Sequence, residues 1–170
     1  IERFIQRKGN ILIGLDPDFN GDHHPELRKI LEQFRVTLRN DLVVDRKNFV
    51  NGSNGSIPLI ETYNVDHPIT HDFKGQSFFP LVSSLEEIPT ALSNDVGKLT
   101  SLMSSSTFPD SWGEVDVKEI AAQKIAFTAN KDKPGPLTLA FAYEGPLNKV
   151  AVFGNSTFVL NAYQKFGPNY

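Results

Sequence analysis

Apolar residues in this chain recur in short blocks, each long enough for one strand or one helix. The clearest helical block starts at Pro25, and its apolar residues Leu27, Ile30, Leu31 and Phe34 are spaced i, i+3, i+4 and i+7. That spacing places all four on one face of a helix, and proline is well tolerated at a first helical position. The pattern therefore predicts an amphipathic helix that begins at Pro25.

Two uninterrupted apolar runs near the ends of the chain predict strands. Residues 11–15 read ILIGL and residues 150–153 read VAVF, and each run stops at a turn signal. Short apolar runs of this kind are typical of strands buried on both faces of a parallel sheet. Residues 158–166 then carry apolar side chains at helical spacing, so the last part of the chain predicts a strand, a turn and a helix.

The remaining blocks predict shorter elements with turns between them. They are a helix end at 1–8, one or two strands within 36–44, a loop at 48–56, strands at 57–63, 78–85, 99–104 and 137–143, and a polar, irregular stretch at 105–130 with a helical turn near 117–122. We expect one α/β domain over residues 1–170. Its sheet should be open and mostly parallel, with flanking helices and a loop-rich, partly antiparallel middle.

A ligand site in such a sheet is expected where the strands end. Asp16 follows the first predicted strand, and Asn155 and Ser156 follow the last one. Ligands of open α/β sheets bind beyond the carboxyl ends of the strands. The sequence therefore predicts a ligand or partner site at Asp16, Asn155 and Ser156.

Trp112 is a fourth candidate for binding. It is the only tryptophan of the chain and lies in a polar, irregular stretch. An isolated tryptophan can anchor a partner, or it can cover a hydrophobic core. The sequence leaves both interpretations open.

Composition limits the classes of partner and of chemistry. The 170 residues carry a net charge of -3, which gives no reason to expect nucleic acid or an anionic membrane surface as a partner. The chain has no cysteine, so disulfides, thiolate metal sites and cysteine nucleophiles are excluded. Its longest apolar runs are far shorter than the roughly 20 residues of a membrane-spanning helix.

Two patterns suggest metal ligands, and both are incomplete. Residues 16–22 (DPDFNGD) match the first half of a calcium-binding loop, but Leu27 stands where the closing bidentate Glu should be. His67 and His71 are four residues apart, yet Pro68 disfavours the helix that would bring them together. We therefore expect no metal and no cofactor, and a calcium-stabilised binding domain remains an alternative.

The sequence lacks the local motifs of nucleophilic catalysis and of phosphate binding. It has no G-x-S-x-G elbow, no phosphate-binding loop and no G-x-G-x-x-G. Serine, histidine and acidic residues from distant positions can meet in almost any fold, so their presence alone decides nothing. We expect no catalytic residues, with a hydrolase or amidotransferase relative as the alternative.

Several stretches, in order along nearly the whole chain, together resemble one family. They are FIQRKGNILIGLDP (4–17), VTLRNDLVVD (36–45), DHPITHDF (66–73), SSSTFPDSWGEVD (104–116), KDKPGPLTLAFA (131–142) and VAVFGNSTFVLN (150–161). This set is similar to the GldG-like extracytoplasmic auxiliary components of gliding-motility-type ABC transporters, especially the cyanobacterial forms. At Asn155 the chain has Gly-Asn-Ser where many members have Gly-Asp-Ser.

The resemblance implies an α/β fold similar to flavodoxin-like and glutamine-amidotransferase-like domains, with no catalytic residues to carry over. It also implies a protein on the extracytoplasmic, periplasmic side of the plasma membrane that works beside an ABC permease and its ATPase. Since the chain starts abruptly in helical register, we expect an excised soluble part of a longer protein, anchored through segments outside these residues. The expected function is a non-catalytic interaction or ligand-binding domain, with any small ligand unidentified.

Overall fold

The computed structural model describes residues 1–19, 21, 24–89, 97–122 and 124–163, with the side chains of residues 2 and 117 excepted. Three helices lie in this part of the chain, α1 (Glu2–Gln6), α2 (Pro25–Glu32) and α3 (Val117–Ala121). Pro25 stands at the start of α2, which confirms the strongest helix prediction. None of the helices among these residues has both the length and the apolar character needed to cross a bilayer.

Strands are more numerous than helices, and most of them are short. They are β1 (Ile11–Gly14), β2 (Val36–Leu38), β3 (Leu42–Asp45), β4 (Leu59–Ile60), β5 (Thr62–Tyr63), β6 (Ser77–Phe78), β7 (Leu85–Glu87), β8 (Lys98–Ser104), β9 (Ser111–Glu114), β10 (Lys133–Pro134), β11 (Thr138–Glu144) and β12 (Lys149–Phe153). Five strands form the main sheet in the order β1-β12-β11-β8-β5. The smaller sheets are β10-β9-β3, β2-β7 and β4-β6.

Both faces of the main sheet carry buried apolar side chains. On one face, Ile13 of β1 and its cross-strand neighbour Val152 of β12 belong to a core cluster with Leu31 of α2. On the other face, Ala142 of β11 belongs to a second cluster with Phe79. The alternation of side chains along a strand assigns each residue to one of these two faces.

The expected open, mostly parallel sheet with flanking helices is wrong. The structure is mainly β, and within the main sheet only the β1–β12 pair is parallel. The reason lies between β11 and β12, where residues 145–148 form a tight turn closed by the Gly145 N–H and the Asn148 carbonyl at 2.9 Å. So short a loop joins antiparallel neighbours, because a parallel crossover needs a dozen or more residues.

Several local predictions also differ from the structure. The strand expected at 57–63 is divided into β4 and β5, which belong to different sheets. The strand expected at 78–85 is replaced by β6, a loop and β7, and the stretch at 105–130 contains β9. Instead of an α-helix, the residues after β12 form two 3-10 turns, Thr157–Val159 and Asn161–Tyr163, and positions 164–166 of that prediction lie outside the described residues.

Candidate binding site

Three of the predicted site residues meet at the ends of two strands. Because β1 and β12 are parallel neighbours, their carboxyl ends lie side by side. The Ser156 N–H donates to Asp16 Oδ1 at 2.7 Å, and Asn155 Nδ2 donates to the same oxygen at 3.1 Å. The Ser156 hydroxyl donates to Asp16 Oδ2. We call Asp16, Asn155 and Ser156 the strand-end cluster.

Asn155 is the buried centre of the strand-end cluster, with 0% of its surface exposed. Its Nδ2 also donates to the Pro80 carbonyl at 2.6 Å, and its Oδ1 accepts the Phe158 N–H at 2.8 Å. Next to it, the Gly154 carbonyl accepts the Ser83 N–H at 2.8 Å. Buried polar groups are stable only when they are paired, and those of Asn155 are paired within the chain. The cluster therefore joins three segments of the fold.

The calcium-loop pattern is only partly within the described residues. Both carboxylate oxygens of Asp16 accept hydrogen bonds from the end of β12. Asp18 donates its backbone N–H to Asn40 Oδ1 at 2.6 Å and accepts the Asn40 amide at its carbonyl. Asn20 and Asp22 of the pattern, like His23, lie outside the described residues.

His67 and His71 share a tight turn, but their rings have different partners. The His67 carbonyl accepts the His71 N–H at 2.9 Å. The His67 ring accepts the Ile69 N–H at Nδ1, 3.2 Å away, whereas Nε2 of His71 lies 2.9 Å from Asp72 Oδ2. Within the described ranges, no group of three His, Cys, Asp or Glu side chains could hold a metal ion.

Trp112 lies in β9, inside a separate core cluster with Leu42, Val44 and Ile125. Only 3% of its surface is exposed. Its Nε1 donates to Glu114 Oε2 at 3.4 Å, and the Arg46 guanidinium lies 5.1 Å from its ring centroid, within cation–π range. The structure thus buries Trp112 in the core cluster beside β3, apart from the strand-end cluster.

A groove of about 450 Å³, which we call the sheet groove, lies at the β1 edge of the main sheet. Ala142 and Ala151 line it as cross-strand partners, and Leu12 of β1 continues the same row across the sheet. Ile69, in the turn after His67, lines it as well. Leu12 is 63% exposed and Ile69 is 57% exposed, so two large apolar side chains border two small ones.

Polar groups also line the sheet groove. Lys149 Nζ lies 3.2 Å from Glu144 Oε1, and these two residues are cross-strand partners in the antiparallel pair. Asn10 Oδ1 accepts the Lys149 N–H at 2.9 Å. His67 lines the groove with 7% of its surface exposed, and its buried Nε2 has no hydrogen-bond partner among the described residues.

The turn that carries His67 is fastened to β8. The Asn64 N–H donates to the Leu102 carbonyl at 2.9 Å, and Asn64 Nδ2 donates to the Ser101 carbonyl at 3.0 Å. The Thr70 hydroxyl then donates to the Asn64 carbonyl at 2.6 Å. These bonds fix one side of the sheet groove relative to the sheet.

The sequence suggests His67 only as a metal ligand and does not predict the sheet groove. The available signal was the small size of Ala142 and Ala151, each of which stands between two larger apolar residues in the sequence. Because side chains alternate along a strand, the sequence could show that each alanine shares a face with its second neighbours. The pairing of β11 with β12, which puts both alanines together, is a tertiary fact.

In the part of the chain that the structure describes, the fold and the groove define a mainly β domain with one parallel strand pair in its main sheet and an open groove at a sheet edge. Among solved structures, the chain is similar to the mmIFT52 N-terminal domain, with a TM-score of 0.59 and 14% sequence identity. The match covers 99% of this chain and 63% of that chain, and at this identity it shows the fold alone. No protein-family model and no curated protein sequence matches the chain.

Proposed function

We propose that this chain is a non-catalytic binding domain and that the sheet groove receives a small, largely apolar ligand. The observation that carries the proposal is the groove itself, about 450 Å³ in volume. Small-molecule sites usually measure about 300–1,000 Å³ and combine mostly apolar walls with a few polar groups. The sheet groove combines apolar residues with Asn10, His67 and the Glu144–Lys149 pair.

The energetic support comes from the exposed apolar side chains at the groove. A ligand seated over Ala142 and Ala151 would remove surface of Leu12 and Ile69 from water. Burial of apolar surface is favourable by roughly 25 cal/mol for each Å². The ion pair of Glu144 with Lys149 leaves the two charges at the groove balanced, so apolar contact is the main source of affinity.

A substitution that fills the groove tests the proposal. Ala151 is half-buried in β12, and Ala151→Leu would place a larger side chain in the space that the ligand needs. We expect saturable binding of the neutral dye Nile red to the natural chain and at least tenfold weaker binding to Ala151→Leu. The exposed Ala126, which does not line the groove, provides the matched control Ala126→Leu. Equal dye binding by all three proteins would contradict the proposal.

We also propose that the domain acts in an auxiliary component of an ABC transporter on the extracytoplasmic side of the membrane. This setting is supported by the six ordered stretches of sequence that resemble the GldG-like proteins. Its test is purification of the full-length membrane protein, followed by identification of what accompanies it. Co-purification of an ABC permease with its ATPase is the expected result, and their absence from the purified complex would contradict this setting.

A further inference from the structure

His67 contains a donor that the described fold leaves without a partner. The Ile69 N–H donates to His67 Nδ1 at 3.2 Å, so Nδ1 must hold a lone pair. In a neutral imidazole the proton then resides on Nε2, which makes Nε2 a donor. This Nε2 is buried and has no hydrogen-bond partner among the described residues. A buried donor of this kind lowers the stability of the fold, because it has lost its hydrogen bonds to water and forms none within the protein.

The side chain that carries this donor is part of the wall of the sheet groove. His67 lines the groove beside Pro68 and Ile69, with 7% of its surface exposed. Its backbone is held in place, since its carbonyl accepts the N–H groups of Thr70 and His71 at 2.9 Å each. Because Nε2 itself is buried, a ligand oxygen reaches it only when the side chains around it move aside, whereas the His67 backbone can stay as it is.

We propose that the ligand of the sheet groove is an apolar molecule with a hydrogen-bond-accepting oxygen, such as a carbonyl, and that the Nε2–H of His67 donates to that oxygen. This inference rests on the proposed function, because it names the ligand class of the same groove. It needs no net charge on the ligand, since the charged groups at the groove, Glu144 and Lys149, are already paired.

Two test ligands of nearly equal shape separate the hydrogen bond from apolar burial. Acetylnaphthalene carries a carbonyl oxygen, and isopropenylnaphthalene has a CH2 group in its place. Apolar burial is almost the same for both, so the ratio of their dissociation constants reports the acceptor. We expect the natural chain to bind the ketone roughly threefold to thirtyfold more tightly, the effect of one hydrogen bond to a buried donor.

Two variants assign that preference to His67. His67→Phe keeps a planar ring and removes the donor. His67→Asp removes every side-chain N–H donor, while a carboxylate oxygen can still accept the N–H of residue 69 and so preserve the turn. The preference for the ketone should disappear in both variants. A preference that persists in a folded variant, or a natural chain that binds both ligands equally, would overturn the assignment to His67.

The groove-filling variant distinguishes this failure from failure of the proposed function. If Ala151→Leu does not weaken either naphthalene, the sheet groove is not the binding surface and both proposals fail. If it weakens both equally while the natural chain shows no preference for the ketone, only the role of His67 is lost. The tautomer gives an independent measurement, since long-range ¹⁵N–¹H spectra should place the His67 proton on Nε2, and a proton on Nδ1 would contradict the proposal.

Discussion

The backbone N–H of Ser156 donates to Asp16 Oδ1 at 2.7 Å and so connects two residues that are 140 positions apart in the chain. This bond closes the ends of β1 and β12, the parallel pair of the main sheet. Asn155 then ties the same ends to the loop before β7 through the Pro80 carbonyl. The strand-end cluster thus connects the carboxyl ends of β1 and β12 to each other and to the loop before β7.

The identity of residue 155 can be tested directly. Asn155→Asp would replace the donor that faces Asp16 and the Pro80 carbonyl with a buried negative charge. We expect a loss of about 3–5 kcal/mol in unfolding free energy near neutral pH, because the buried charge would face the Asp16 carboxylate and the Pro80 carbonyl oxygen. Lowering the pH should recover part of this loss, since a protonated carboxyl can donate to the Pro80 carbonyl. Urea denaturation at several pH values measures both effects.

Asn155→Ala is the matched comparison for that substitution. It leaves the Pro80 carbonyl and the Phe158 N–H without these hydrogen-bond partners, and each unpaired group lowers the unfolding free energy by roughly 1–3 kcal/mol. The cost of the alanine variant should not show the recovery at acid pH, because alanine has no proton to gain. An aspartate variant as stable as the natural chain at neutral pH would show that the cluster is open to water.

Two glycines beside the cluster differ in how much space they have. A Cβ at Gly154 would lie 1.9 Å from the Ser83 carbonyl oxygen, whereas a Cβ at Gly14 would lie 2.8 Å from the Asn155 carbonyl oxygen. Both neighbours are backbone atoms, so only a shift of the chain can relieve the contact. We expect Gly154→Ala to lower the unfolding free energy by about 3 kcal/mol or more and Gly14→Ala by about 1–2 kcal/mol. Thermal and urea unfolding would contradict this if the two costs were equal.

Glu114 should make stability decrease as the pH rises. Burial raises the pKa of Glu114 above its ordinary value of 4.5. The Asp132 and Glu119 carboxylates act in the same direction, while N–H donors from Asp116 and Trp112 oppose it. The folded chain therefore binds this proton more tightly than the unfolded chain. Its contribution to stability falls as the pH rises from the unfolded pKa through the folded one.

The substitution Glu114→Gln removes this titration. Its cost in unfolding free energy should therefore be larger at acid pH, below 4.5, than at neutral pH. Urea denaturation of both proteins across this pH range measures the difference. A cost that stays constant with pH would contradict the raised pKa.

Glu86 should have the opposite effect. Burial alone would raise the pKa of Glu86, but hydrogen bonds and positive charge from Lys133 and Arg39 outweigh burial and lower the pKa below its ordinary value of 4.5. This stabilisation is present above 4.5 and is lost as the pH falls through the folded pKa. Lys133→Met should cost about 0.5–1 kcal/mol near neutral pH, because the pair is partly exposed, and less at acid pH.

Lys131→Met provides the control for the Lys133 variant. Lys131 Nζ lies 3.7 Å from Asp116 Oδ2, and its side chain is 60% exposed. We expect its removal to cost less than removal of Lys133, because solvent screens an exposed pair. Equal costs in urea denaturation would argue against a stabilising role of the Glu86 pair.

Local patterns were informative where one segment decides its own structure. The spacing of apolar residues after Pro25 predicted α2, and the run at 11–15 predicted β1. The sequence also allowed two strands within 36–44, and the structure has β2 and β3 there. These features depend on backbone preferences and on the burial of one face, which neighbouring residues control.

The predicted direction of most strands was wrong, because an apolar run has the same appearance in parallel and antiparallel sheets. The short connection at 145–148 indicates the antiparallel pairing of β11 with β12, because so few residues can join only the strands of a hairpin. The dense polar contacts of the strand-end cluster were partly foreseeable, as Asp16, Asn155 and Ser156 each follow an apolar run. The sequence did not predict that the polar groups of this cluster are paired within the protein, because the Pro80 carbonyl belongs to a loop 75 residues away from Asn155.

The sequence by itself determined the short helices, the positions of several strands and the polar residues at strand ends, because these follow from periodicity and turn chemistry within a few residues. Only the tertiary structure decided the antiparallel pairing, the burial of Trp112 and the groove that places His67 beside Ala142 and Ala151. Pairing between distant strands depends on how all segments share one core, and no local pattern contains that information.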